Sequence, residues 1–71
     1  MVIRVQLAAA SGWTELDFRE GMRVIDVFEA LKYHPASIAL IYLNGTPVDE
    51  NSPVKDGDEI VLVPLVGGGL R

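Results

Sequence analysis

The chain has 71 residues, 49% of them hydrophobic, no cysteine, and a formal net charge of -4. That length makes one small domain with room for roughly a dozen buried apolar side chains, which leaves little space for a deep catalytic pocket. The absence of cysteine excludes disulfides, Cys-ligated metals and Cys nucleophiles, and the acidic balance disfavours nucleic acid and anionic membrane as partners. Val2–Ala8 alternates, with Ile3, Val5 and Leu7 on one face and Arg4 and Gln6 on the other, which predicts a half-buried strand. Ser11-Gly12 supplies a turn. Trp13–Phe18 alternates again, with Leu16 and Phe18 inward, so the chain opens with a hairpin.

The period then changes. Val24, Val27, Phe28 and Leu31 fall at i, i+3, i+4 and i+7, which predicts a helix over Arg23–Tyr33. Gly21-Met22-Arg23 offers no side chain suited to capping its start, and Pro35 is expected to stop it. Ile38–Leu43 is apolar on both faces and reads as a central strand. Asn44-Gly45 is a tight-turn signal leading into a short edge strand around Thr46–Val48. Asp49–Val54 reads as a polar loop and Asp56-Gly57-Asp58 as a second turn. Glu59–Pro64 is the last strand, again apolar on both faces. The longest apolar runs, Ile38–Leu43 and Ile60–Val66, fall far short of the ~20 residues of a membrane-spanning helix. Ala8-Ala9-Ala10 is preceded by too short a stretch for a signal peptide, so a cytoplasmic location is expected.

The order β-β-α-β-β-β lets the first and last strands lie side by side mid-sheet, with one main helix on one face. This is an α+β chain of the β-grasp (ubiquitin-like) type, with a mixed sheet of four to five strands. The domain is expected over residues 1–66, followed by a Gly-rich tail over 67–71. Three consecutive glycines raise the entropy cost of order in that tail.

The run from Leu43-Asn44-Gly45 through Asp56-Gly57-Asp58-Glu59-Ile60-Val61-Leu62-Val63-Pro64 to Gly68-Gly69 resembles the MoaD/ThiS sulfur-carrier family. The resemblance implies a protein that is a substrate rather than an enzyme. An activating enzyme would use ATP to adenylate the carboxylate of Gly69, with Gly67 and Gly68 completing the tail. A sulfur donor would then leave a thiocarboxylate for a sulfur-acceptor synthase of molybdopterin, thiamine or related biosynthesis. No cofactor is expected on the chain itself, because no phosphate-binding fingerprint occurs in it. The chain departs from the family pattern in that Leu70 and Arg71 follow Gly69. Trimming by a JAMM-type metalloprotease is therefore implied.

By alternation, Ile41, Leu43, Ile60 and Leu62 should face the helix. That leaves Leu40, Tyr42, Val61 and Val63 as a second apolar set on the sheet face without internal cover. With Leu65 and Val66 at the base of the tail, they form an expected docking patch for the partner enzymes. The free protein is expected to be a monomer. No nucleophile–base pair or metal-ligand cluster can be assembled from these residues, so no catalytic or metal site is assigned. Two other functions fit the same pattern: a ubiquitin-like modifier joined to lysines through Gly69, and a β-grasp interaction module without tail chemistry.

Overall fold

The alternating segments pair into one sheet, and the helical stripe closes over it. The structure is a computed structural model and describes residues 1–8 and 12–65. Its elements are β1 (Val2–Leu7), β2 (Thr14–Asp17), α1 (Val24–Leu31), a one-turn 3-10 helix (Pro35–Ser37), β3 (Ile38–Leu43), β4 (Thr46–Val48) and β5 (Glu59–Pro64). The sheet order is β2-β1-β5-β3-β4. The first and last strands lie side by side and parallel, while every other neighbouring pair is antiparallel. Ser11 of the expected opening turn and the expected tail lie outside the described residues.

The core sits between α1 and one sheet face. Ile3 and Val5 of β1, Ile60 and Leu62 of β5, and Val24, Val27 and Phe28 of α1 are all buried, joined by Met22 and Val54. Each such side chain contributes roughly 1.5–3 kcal/mol against chain entropy. Leu16, Phe18, Ile41 and Leu43 pack against this cluster from its margins, as their alternation requires.

The helix is shorter than its expected span at both ends. At its start the Arg23 side chain caps nothing, and the free N–H groups are met from elsewhere. The Arg23 N–H donates to the Asp26 carboxylate at 2.8 Å. The N–H groups of Val24 and Ile25 donate to the carbonyls of Ser52 at 3.0 Å and Glu50 at 2.9 Å. The loop read as merely polar therefore satisfies donors that every helix start leaves open, and it carries Val54 into the core. At the other end Pro35 is not the stop. Lys32 adopts φ 61, and the Tyr33 N–H reaches back to the Phe28 carbonyl at 2.8 Å. This is a Schellman closure, complete before the proline is reached. Pro35 instead opens the 3-10 turn leading into β3.

Two turns are stitched together beside β5. Asn44 (φ 52) and Gly45 (φ 85) both take positive φ, as a two-residue hairpin turn of the I′ type demands. The Asn44 Nδ2 donates to Asp58 Oδ1 at 2.9 Å, and its Oδ1 accepts the Glu59 N–H at 2.9 Å. The Asn44 N–H also donates to the Glu59 carbonyl at 2.8 Å. Asp58 Oδ2 accepts the Lys55 N–H at 2.8 Å, closing its own turn. Asn44→Ala removes two bonds worth about 1 kcal/mol each and puts a side chain unsuited to positive φ in the turn. The expected loss is about 3 kcal/mol, seen as a lower urea midpoint with an unchanged slope.

Candidate functional site

Strand alternation decides what the sheet shows on the side away from α1. Because Ile60 and Leu62 are buried, Val61 and Val63 of β5 point outward. Register then brings the expected patch together: Leu40 of β3 lies opposite Val63, and Tyr42 lies opposite Val61. Leu40 is 49% exposed, while Tyr42, Val61 and Val63 are half-buried by one another and their neighbours. Leu65 follows β5 directly and is 61% exposed. Its N–H donates to the Ser37 carbonyl at 2.8 Å, which holds the end of β5 against the start of β3. Val66 and the tail glycines Gly67, Gly68 and Gly69 lie outside the described residues.

One further member of this face was not in the expected set. Pro47 of β4 lies opposite Tyr42 and extends the apolar row. The signal was available: a two-residue turn at Asn44-Gly45 forces Leu43 against Thr46 and hence Tyr42 against Pro47.

The face is graded along β5. At the start of β5, Glu59 lies beside Arg4 of β1, and Arg4 lies beside Glu15 of β2. The Arg4 guanidinium approaches Glu59 at 3.6 Å and Glu15 at 3.9 Å, with all three side chains about half exposed. Such pairs contribute about 0–1 kcal/mol to stability, so they act on surface character more than on folding. Toward the end of β5 the face becomes apolar, with Leu40, Val63 and Leu65. The apolar portion and the point where the chain leaves the sheet therefore coincide.

Chemically, this surface offers contact area rather than reactive groups. Among the described residues, no group of three or more His, Cys, Asp or Glu side chains is placed to hold a metal ion. No helix among them is long and apolar enough to cross a membrane. His34 ends the link after α1, with its carbonyl accepting the Ser37 N–H and hydroxyl. Trp13 stands at the end of the opening hairpin, 43% exposed.

Comparison with known proteins supplies what the surface alone does not. The sequence model of the ThiS family matches residues 4–69, which takes in both the sheet and the glycines through Gly69. The chain belongs to the ThiS family. Three solved structures are similar to this ThiS-family chain. One is a putative molybdopterin converting factor, subunit 1, from Pyrococcus furiosus, at 24% identity and a TM-score of 0.70, covering 92% of this chain and 98% of that one. Another is SAMP1 from Haloferax volcanii, at 24% identity and a TM-score of 0.71, covering 97% and 100%. The third is a complex of subunits 1 and 2 of the molybdopterin-converting factor from Helicobacter pylori, where the matched chain has 25% identity and a TM-score of 0.67, covering 97% and 100%. These likenesses carry the β-grasp fold. With the family match they place the chain among the MoaD/ThiS-like sulfur carriers, as its turn and glycine motifs imply.

Proposed function

We propose that the chain carries sulfur as a thiocarboxylate on Gly69, after removal of Leu70 and Arg71. The reading rests on one observation above others: the family match runs through Gly69 and stops before Leu70. A carboxylate is a poor electrophile, so sulfur cannot displace its oxygen directly. In the proposed cycle a carboxylate oxygen attacks the α-phosphorus of ATP on a partner activating enzyme, and pyrophosphate leaves. Sulfide delivered by a donor then attacks the acyl-adenylate carbon, the C–O bond to the phosphate breaks and AMP leaves, so the thiocarboxylate forms with no change of oxidation state. ATP is thus the partner's substrate, and this chain contributes the carboxyl group and a tail that fits a narrow channel. Gly67, Gly68 and Gly69 suit that role because a backbone without Cβ atoms passes where other residues clash.

Leu40, Tyr42, Val61, Val63 and Leu65, with Val66, are the proposed docking surface. The place of Leu40, Val63 and Leu65 beside the chain's exit from β5 supports this, since a partner seated there meets the tail at once. The Helicobacter pylori structure holds subunit 1 together with subunit 2. By analogy, a second subunit of that kind is the proposed sulfur acceptor. A JAMM-type metalloprotease is the proposed source of the trimmed end.

The test is a charging assay. The chain ending at Gly69 is incubated with its cell's activating enzyme, ATP and a sulfur donor, then weighed intact. One oxygen replaced by sulfur, only when ATP is present, is the expected result. No pyrophosphate release and no mass change with any activating enzyme of that cell would remove the proposal.

A further inference from the structure

The bonds joining the two turns cover a chemically vulnerable pair of residues. In an Asn-Gly pair the glycine nitrogen is unhindered by a side chain of its own and can attack the Asn side-chain carbonyl carbon. A bond forms between Gly45 N, which gives up its proton, and Asn44 Cγ. The Cγ–Nδ2 bond breaks and ammonia leaves, closing a five-membered imide. Water then opens the imide to an aspartate or isoaspartate. The net change is side-chain amide plus water to carboxylate plus ammonium, with no redox partner required.

That attack needs Asn44 Cγ free to approach the Gly45 nitrogen by rotation about the Cα–Cβ bond. In the folded chain both of its polar atoms are held. Nδ2 is held by Asp58 Oδ1 and Oδ1 by the Glu59 N–H, each at 2.9 Å. The backbone on either side is fixed as well, by the positive φ of both turn residues and the bond from Asn44 N–H to Glu59 O. The anchors come from 14 and 15 residues further along the chain, so they exist only while the two turns are together.

We infer that Asn44-Gly45 is a conformation-gated deamidation site, held inert by Asp58 and Glu59 and released when the two turns separate. The product cannot restore the joint. Where Nδ2 donated to Asp58, a carboxylate oxygen now faces another carboxylate, and a donor–acceptor pair becomes a repulsive one. An isoaspartate also adds an atom to the backbone of a two-residue turn that has no slack. Each chain that opens at this point for long enough is thus marked and returns to a weaker fold.

The measurement is the rate of deamidation at mildly alkaline pH, by mass of the peptide holding residue 44 and by isoaspartate-specific methylation. Folded wild-type chain is compared with the same chain held open in urea. Two hydrogen bonds hold the side chain, so the folded rate should be lower by at least about tenfold. Asp58→Ala, studied where it remains folded, should deamidate several-fold faster than wild type. Asp58→Asn has one amide oxygen where two carboxylate oxygens accept from Asn44 Nδ2 and the Lys55 N–H, so its rate should fall between those of wild type and Asp58→Ala. Val27→Ala lowers stability from the core while leaving the turns joined, and it should also stay near wild type. Equal rates in folded and unfolded chain would overturn the inference. So would Asp58→Ala reacting no faster than wild type, or Val27→Ala matching Asp58→Ala at equal stability.

Discussion

A chain ending at Gly69 will form an acyl-adenylate on its activating enzyme, and the same chain carrying Leu70 and Arg71 will not. While Leu70 is attached, the Gly69 carbonyl is an amide and has no carboxylate oxygen to attack phosphorus. In a chain prepared to end at Arg71 the free carboxylate is displaced along an extended backbone by up to about 7 Å. A misplacement of about 1 Å can cost a hundredfold in rate, so a shift of this size leaves no productive geometry. Leu70 also brings a branched side chain, and Arg71 a cationic one, into a path suited to glycine. ATP–pyrophosphate exchange measures the step directly, with exchange expected for the trimmed chain and only background for the extended one. Equal exchange by both would mean that Gly69 is not the reacting residue.

Whatever was written in nearest-neighbour terms was legible before folding. The spans of β3, β4 and β5 follow from apolar runs bounded by turn residues, and they coincide with the expected ones. The faces followed from the period of two, so the outward grouping of Leu40, Tyr42, Val61 and Val63 could be drawn from the chain alone. What was not legible depended on distant partners. At the helix start Asp26 is the one local side-chain acceptor, and Glu50 and Ser52, some 25 residues later, supply the others. The helix end was assigned to Pro35, but the left-handed Lys32 and the bond from Tyr33 to Phe28 decide it sooner. Lysine carries no sequence signal for positive φ, so the residue type does not announce this end. Asn44 and Asp58 each read as a turn residue, and nothing local says that one turn is bonded to the other. That coupling gives a physical reason why the Asn-Gly and Asp-Gly-Asp-Glu motifs appear together in this chain.

Replacing Leu40 by lysine together with Val63 by glutamate should uncouple the carrier from its partners while leaving the fold in place. The two residues are opposite one another on adjacent antiparallel strands. Introduced charges of opposite sign therefore pair across the strands instead of repelling. Both lie on the outer face, outside the buried core around Phe28, so the core loses no volume. At an apolar interface the same pair is costly, because two desolvated charges replace side chains that bury area. Loss of central anchors costs at least about 2 kcal/mol, or about thirtyfold in Kd. The double variant (L40K/V63E), ending at Gly69, should raise the carrier concentration needed for half-maximal adenylation by that factor or more. Its maximal rate should change far less, since the tail proposed to enter the active site is untouched. Its urea midpoint should stay near the wild-type value. Adenylation at wild-type carrier concentrations by a folded double variant would place the docking surface elsewhere. The graded face would then direct attention to its charged end, where Arg4 lies between Glu15 and Glu59.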